Sequence, residues 1–236
     1  MLYSINGIVL HYINYSDTSI IAKIYTDKFG LQSYIVNGVR KKKAQIRLNI
    51  FQALNLLEME VVHKEKLNLQ RIKEVKATPA LLNISADFLK STLALFLKEL
   101  IYKSIKEEEP NPQLFTFLKT AILYLETTTE NIANFHVAFL LELTKYLGFY
   151  PDNTKGKYFN IEDGIFQEFP SSKTSDLADS KLFKQFLETD WKECHSIKIT
   201  GKQRQNLLYQ LLEFYKTHIE SFGKVKSLDV LQTVMN

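Results

Sequence analysis

Leu57, Met59 and Val61 alternate with Glu58 and Glu60, and a period of two with one apolar and one acidic face predicts a half-buried β-strand. Four further stretches share its character: residues 4–14, 19–26 and 31–37 ahead of it and 68–76 behind it are rich in Ile, Val, Tyr and Leu and too short for helical stripes. The strand of the first alternation itself is expected to run over residues 51–63. Residues 27–30 and the pair Asn37-Gly38 punctuate the series where a positive φ is easily adopted. Five strands within the first 76 residues have the size of a small closed barrel. Among such barrels the OB-fold is the first choice over an SH3-like one, because it is the common single-strand binder.

After Thr78-Pro79 the apolar period changes to 3.6. Leu89, Leu93, Phe96, Leu97 and Leu100, widened by Ile101 and Ile105, predict a helix to about residue 108. Asn111-Pro112 supplies an N-cap and an N1 proline for a second helix with Leu114, Phe115, Leu118, Ile122 and Leu125. A third helix is expected from Asn131 to Gly148. Apolar residues surround it almost completely, so it is expected at the centre of a helical core. Thr200 and Gln203 form a capping box ahead of Leu207, Leu208, Leu211, Leu212, Tyr215 and Ile219, and Ser227 can cap a last short helix. Between these helices, residues 158–161 and 165–169 flank Asp163-Gly164, a hairpin signal. The expected fold class is α+β with two domains: an OB barrel over residues 1–78 and a helical domain over residues 79–236, with a β-hairpin inserted at about 157–169.

Charge divides the chain the same way. Of 236 residues, 45% are hydrophobic and 24% charged, which is ordinary for a packed protein. Residues 1–80 hold twelve Lys/Arg against six Asp/Glu, while residues 81–236 hold eighteen against twenty. The net +4 thus hides a basic barrel and a slightly acidic helical part. Arg40, Lys41, Lys42, Lys43 and Arg47 crowd one run, and no acid lies between Asp27 and Glu58. A solvated loop would account for an isolated run, but the bias of the whole segment favours a polyanion. In an OB barrel the second and third strands and the adjoining loops form the binding face. That face would contain Lys23, Tyr25, Lys28 and Tyr34 beside the basic loop, with Tyr15 in the preceding turn. Cations would hold phosphates and aromatic rings would stack bases, unless the tyrosines pack into the barrel.

Other chemistry finds no support. Gly201-Lys202 lacks the earlier glycine and the following Ser/Thr of a phosphate loop. His11, His63, His136, His195 and His218 have no partner at a metal-ligand spacing, and adjacent Cys194-His195 cannot easily share one metal. They read as strand or helix residues and Cys194 as a packed thiol. Glu107-Glu108-Glu109 points around a helix end and does not converge. No nucleophile elbow occurs. The expectation is a protein that is not an enzyme and needs no cofactor or metal. Single Cys194 excludes an internal disulfide, the first ten residues lack a leader's basic and apolar regions, and no run reaches a membrane span. A cytoplasmic protein follows as an expectation.

Gly7-Ile8-Val9-Leu10, Tyr15-Ser16-Asp17-Thr18, the stretch from Thr26 through Gly30-Leu31, and Val36-Asn37-Gly38-Val39-Arg40 together resemble the amino-terminal barrel of the RecO family of bacterial recombination mediators. Leu147-Gly148-Phe149-Tyr150-Pro151 and Lys226-Ser227-Leu228 are similar to that family's later motifs, so the resemblance covers almost the whole chain. It implies an OB-fold before a helical domain, binding of single- and double-stranded DNA, and annealing of complementary strands. It also implies partnership with RecR and with the acidic tail of single-stranded-DNA-binding protein in loading recombinase on gapped DNA, in the cytoplasm and at the nucleoid during repair. The family's DNA-binding loop falls on Arg40 to Lys43. Phe139, Leu143, Lys119 and Lys145 stand as candidates for the tail pocket, with core packing the competing role of the two apolar residues. Many members carry a four-cysteine zinc module after the Leu-Gly-Phe-Tyr-Pro segment, whereas residues 152–170 here contain no cysteine. The hairpin would be its metal-free remnant, held by Tyr158, Phe159, Ile161, Ile165 and Phe166. A rival is an adaptor that grips an acidic peptide without touching DNA; a hydrolase in the helical domain is a third, with no visible polar pocket to support it.

Overall fold

The alternation around Met59 becomes the β4 strand of a closed barrel, in which β1 Leu2–Asn14, β2 Ile20–Thr26, β3 Gly30–Val36, β4 Leu56–Val62 and β5 Gln70–Ala77 are joined in the order β1-β2-β3-β5-β4. The computed structural model describes residues 1–41, 44–106, 108–152 and 155–235; Lys42 and Lys43 of the basic run and Glu107 of the acidic run lie outside the described residues. Neighbouring strands are antiparallel except β3 and β5, which pair in parallel through Tyr34↔Gln70 and Ile35↔Arg71. This is the five-stranded OB arrangement. Phe51, expected to begin the fourth strand, lies instead in a 3-10 turn over Leu48–Phe51. The turn brings Leu48, Ile50 and Phe51 onto the barrel core, which a strand with sides alternating could not do for consecutive residues.

Inside the barrel, Ile5, Val9, Ile20, Ile24, Val36, Leu57, Met59 and Val61 are buried around Tyr34. Ala22 stands directly opposite Tyr34 in the β2–β3 register, so a small residue makes room for a large one. The Tyr34 hydroxyl has no hydrogen-bond partner among the described residues, and burial, with the Asp27 charge behind it, pushes its pKa far up. At Gly7 a β-carbon would lie 2.5 Å from Ile24 Cγ2 and 2.7 Å from Met59 Cε. Only glycine leaves β1 free to approach β2 and β4 there.

Helices α1 Leu82–Ala86, α2 Phe88–Ser104 and α3 Pro112–Thr127 follow the barrel. The α2 helix stops at Ser104, short of the expected residue 108. The Asn111 side chain accepts a 3.0 Å bond from the Leu114 N–H, as the Asn-Pro pair predicts. Unexpected α1 is held by the buried Glu126 carboxylate, which accepts from the Asn83 and Ile84 N–H groups at 2.9 Å each. The chain forms two compact units, Met1–Glu126 and Thr127–Asn236. The change from strand to helix lies near residue 78, while α1, α2 and most of α3 pack in the same unit as the barrel.

The second unit centres on α4 Phe135–Leu147, buried nearly all round and closed by Gly148 at φ 83°. Asn131, expected to begin this helix, forms a turn instead, accepting from the Ala133 N–H at 2.8 Å. The hairpin strands β6 Tyr158–Asn160 and β7 Ile165–Gln167 pair as expected, with Gly164 at φ 68°. Phe159 and Phe166 face the core, whereas Ile165, expected to help hold the hairpin, is exposed because it lies on the other side of the pleat. Helices α5 Leu177–Glu188, α6 Gly201–His218 and α7 Leu228–Met235 complete the unit, with a 3-10 turn over Trp191–Ser196. The Thr200–Gln203 capping box is present. No described helix is long and apolar enough to cross a membrane.

Gly7→Val is expected to lower stability by about 1–3 kcal/mol through overpacking, read as a lower denaturation midpoint. Tyr34→Phe removes an unpaired buried hydroxyl and is expected to hold or raise the midpoint; a fall would show that the hydroxyl is satisfied.

Candidate nucleic-acid interface

The basic run leaves β3 at Asn37-Gly38, where Gly38 takes φ 74°. Val39 turns back into the core and is 4% exposed, while Ile46 packs against the same core beyond the cations. Two apolar anchors therefore hold a polar loop whose Arg40, Lys41 and Arg47 are exposed. The Arg40 N–H donates to the Thr18 carbonyl at 3.4 Å and its Nη1 reaches the Ser16 carbonyl at 3.5 Å. Arg40 thereby meets the β1–β2 turn, which carries Tyr15, 60% exposed.

A second loop comes from β4–β5, residues 63–69, and is shaped by one buried amide. Gln70 Oε1 accepts from the Lys64 N–H at 2.9 Å, and Nε2 donates to the Lys64 carbonyl at 2.9 Å and to the Leu67 carbonyl. A buried side-chain amide satisfied on both its faces fixes the loop that carries Lys64, Lys66 and Leu67. In β5 itself the register with β4 shifts between Glu60↔Glu74 and Val61↔Ile72, leaving Lys73 as the extra residue of a bulge.

These pieces meet along the β3–β5 seam. A groove of about 640 Å³ is lined by Asn37, Val62, Lys64, Leu67, Leu69, Gln70, Arg71, Ile72 and Lys73. An adjoining groove of about 300 Å³ shares Asn37, Arg71, Ile72 and Lys73 and adds Ile35, Val36, Gly38, Lys41, Ala44, Gln45 and Ile46. Among the described residues, neither lining contains a carboxylate. Lys41, Lys64, Arg71 and Lys73 make no ion pair with a described carboxylate, so their field is directed at the grooves and solvent. An anionic chain lying along the seam would meet cations on both sides and apolar side chains beneath.

Several expected site residues are elsewhere. Tyr25 is 1% exposed, its ring 6.2 Å from that of Phe115 on α3, so the helix covers the strand face expected to be open. Tyr34 is 0% exposed inside the barrel. Neither ring can stack a base, because both are already packed against protein. Lys23 is half-buried on β2, and Lys28 donates to the Ser4 carbonyl at 2.9 Å in the β2–β3 turn. That turn is at the opposite end of β3 from the grooves, roughly 20 Å along the strand. Among the described residues of the expected site, Lys41 lines the smaller groove, whereas Arg40 and Arg47 are exposed but line neither groove. Lys64, Leu67, Leu69, Gln70, Arg71 and Lys73 complete the seam, and the sequence signal for them was four cations against Glu65 within residues 64–73.

The expected tail-pocket residues do not present a pocket either. Phe139 and Leu143 are 1% and 0% exposed in the α4 core. Lys145 Nζ lies 2.7 Å from the Glu142 carboxylate and 4.7 Å from the Tyr150 ring centre. Lys119 is exposed on α3, in the first unit. Elsewhere in the second unit, burial, aided by the Arg204 charge, lowers the His136 pKa to about 3, and burial raises that of Cys194 to about 12. Both values leave these groups neutral and suited to packing.

Known proteins place the whole chain. Residues 1–80 match the family model for the recombination protein O N terminal and residues 85–229 that for its C terminal. The chain is 40% identical over 233 residues to the DNA repair protein RecO of Flavobacterium psychrophilum, covering 98% of each chain. It is 35% identical over 241 residues to the DNA repair protein RecO of Azobacteroides pseudotrichonymphae, covering 100% of each. With that of Flavobacterium johnsoniae it shares 38% identity over 233 residues, 98% of each. A closed five-stranded barrel, a helical region after it in the sequence and matches to both halves of one family leave one conclusion: the chain belongs to the RecO family of DNA repair proteins.

Proposed function

We propose that this protein is a non-enzymatic mediator of recombinational repair that holds single- and double-stranded DNA on its barrel and anneals complementary strands. The observation that carries this reading is the pair of adjoining grooves at the β3–β5 seam, lined by Lys41, Lys64, Arg71 and Lys73 and, among the described residues, by no carboxylate. Phosphates would lie along these cations, displacing counterions, while Arg40, Lys42, Lys43 and Arg47 extend the same basic run in sequence. Such contacts read backbone and leave base edges free, which keeps binding tolerant of sequence. Annealing follows from the same charges: two strands held on one cationic surface repel each other less than in water. In this reading the protein acts with RecR and with the acidic tail of single-stranded-DNA-binding protein to load recombinase on gapped DNA. Family membership supports these partnerships, and carboxylates of a peptide tail would find the same uncompensated cations attractive.

If about five cations each meet a phosphate, log K for a single strand should fall against log salt with a slope of roughly −3.5. Arg71→Glu combined with Lys73→Glu is expected to weaken binding strongly at low salt and to make the slope shallower by roughly 1.4. An unchanged affinity and slope would remove the seam from the interface. Purified protein that leaves oligonucleotides free but captures an acidic peptide would replace DNA binding with an adaptor role.

A further inference from the structure

The larger groove is more than a row of charges. Its wall includes Val62, Leu67, Leu69 and Ile72. Leu67 is 48% exposed at the tip of the β4–β5 loop. Exposed leucines are common on flexible loops and carry no meaning singly. This one is held in place: its N–H donates to the Lys64 carbonyl at 3.0 Å and its carbonyl accepts from Gln70, whose side chain is buried to 2% exposure. The apolar wall is therefore preformed, and it is rimmed by Lys64, Arg71 and Lys73.

We propose that the Leu67–Leu69 wall is a nucleobase subsite, taking the face of an unstacked base whose flanking phosphates rest on Lys64, Arg71 and Lys73. The inference rests on the DNA-binding reading and adds to it what distinguishes one nucleic acid from another. Charge and shape together support this occupant: the flat face of a base, with a phosphate on either side of its nucleotide, matches an apolar wall rimmed by cations, and each nucleotide of a single strand repeats that pattern. In a duplex the same base faces are stacked on their neighbours, so the wall would gain nothing from them without paying for unstacking. The subsite thus favours single over double strands, while the rim serves both.

The test compares a short thymidine oligomer with an abasic oligomer of equal length and charge, on the full chain and on Leu67→Ala and Leu69→Ala. Leu67 is exposed, so its truncation should leave the thermal midpoint in place; Leu69→Ala is the second probe of the same wall. The wild type should prefer the thymidine oligomer by roughly tenfold, as burial of apolar surface against aliphatic side chains allows, and each variant should reduce that preference to below roughly threefold. Abasic affinity and the salt slope should stay unchanged, since no cation is removed. Variants that keep the full preference, or a wild type that binds both oligomers equally, overturn the subsite and leave the cationic interface standing. Binding of neither oligomer overturns the interface as well.

Discussion

The barrel is closed by a parallel contact only two residue pairs long, Tyr34↔Gln70 and Ile35↔Arg71. Everything proposed for the first unit depends on it. β3 and β5 are separated in sequence by the basic loop, β4 and a second loop, and their pairing sets those two loops side by side. Strand alternation then sorts the residues of the contact: Tyr34 and Gln70 face inward and are buried, while Arg71 faces out. The inward Gln70 fixes the β4–β5 loop through its amide, and the outward Arg71 joins the groove. One strand end thus supplies both the support of the site and its charge.

Ion pairing differs between the cations of the barrel grooves and four lysines of the second unit, which bears on the anion-binding surface proposed for the barrel. In the second unit, Lys145, Lys157, Lys173 and Lys216 are each paired with a nearby glutamate. Such exposed pairs add little to stability, about 0–1 kcal/mol each, but they cancel the local field. On the barrel, Lys76 pairs with Glu58 at 2.7 Å, away from the grooves, and the seam cations have no carboxylate partner among the described residues.

Much of the fold was legible in the sequence, because alternation and 3.6-residue stripes report directly on burial. The β4 pattern, the Asn-Pro and Thr-Gln caps and the Asp-Gly hairpin all correspond to observed elements. α5 was missed for a physical reason. Its buried face includes Asp179 and Ser180, which serve Gln210 and the Phe159 N–H as hydrogen-bond acceptors and interrupt the apolar stripe. The candidate site was half legible. Residues 40–47 stood out as a run, whereas Arg71 and Lys73 looked like ordinary outward positions of a strand until the crossover placed them beside that run. Tyr25 and Tyr34 misled because outward and inward faces of a strand say nothing about what later covers them. Phe115 covers the first and the barrel interior encloses the second.

The measurement that reaches the central claim most directly is photo-crosslinking of a short single strand carrying a halogenated uracil, followed by mapping of the modified peptides. If the β3–β5 seam is the interface, crosslinks should concentrate in the peptides spanning residues 37–47 and 62–73 and disappear when Arg71 and Lys73 are reversed to glutamate. Crosslinks confined to residues 127–236, or unaffected by that reversal, would contradict it.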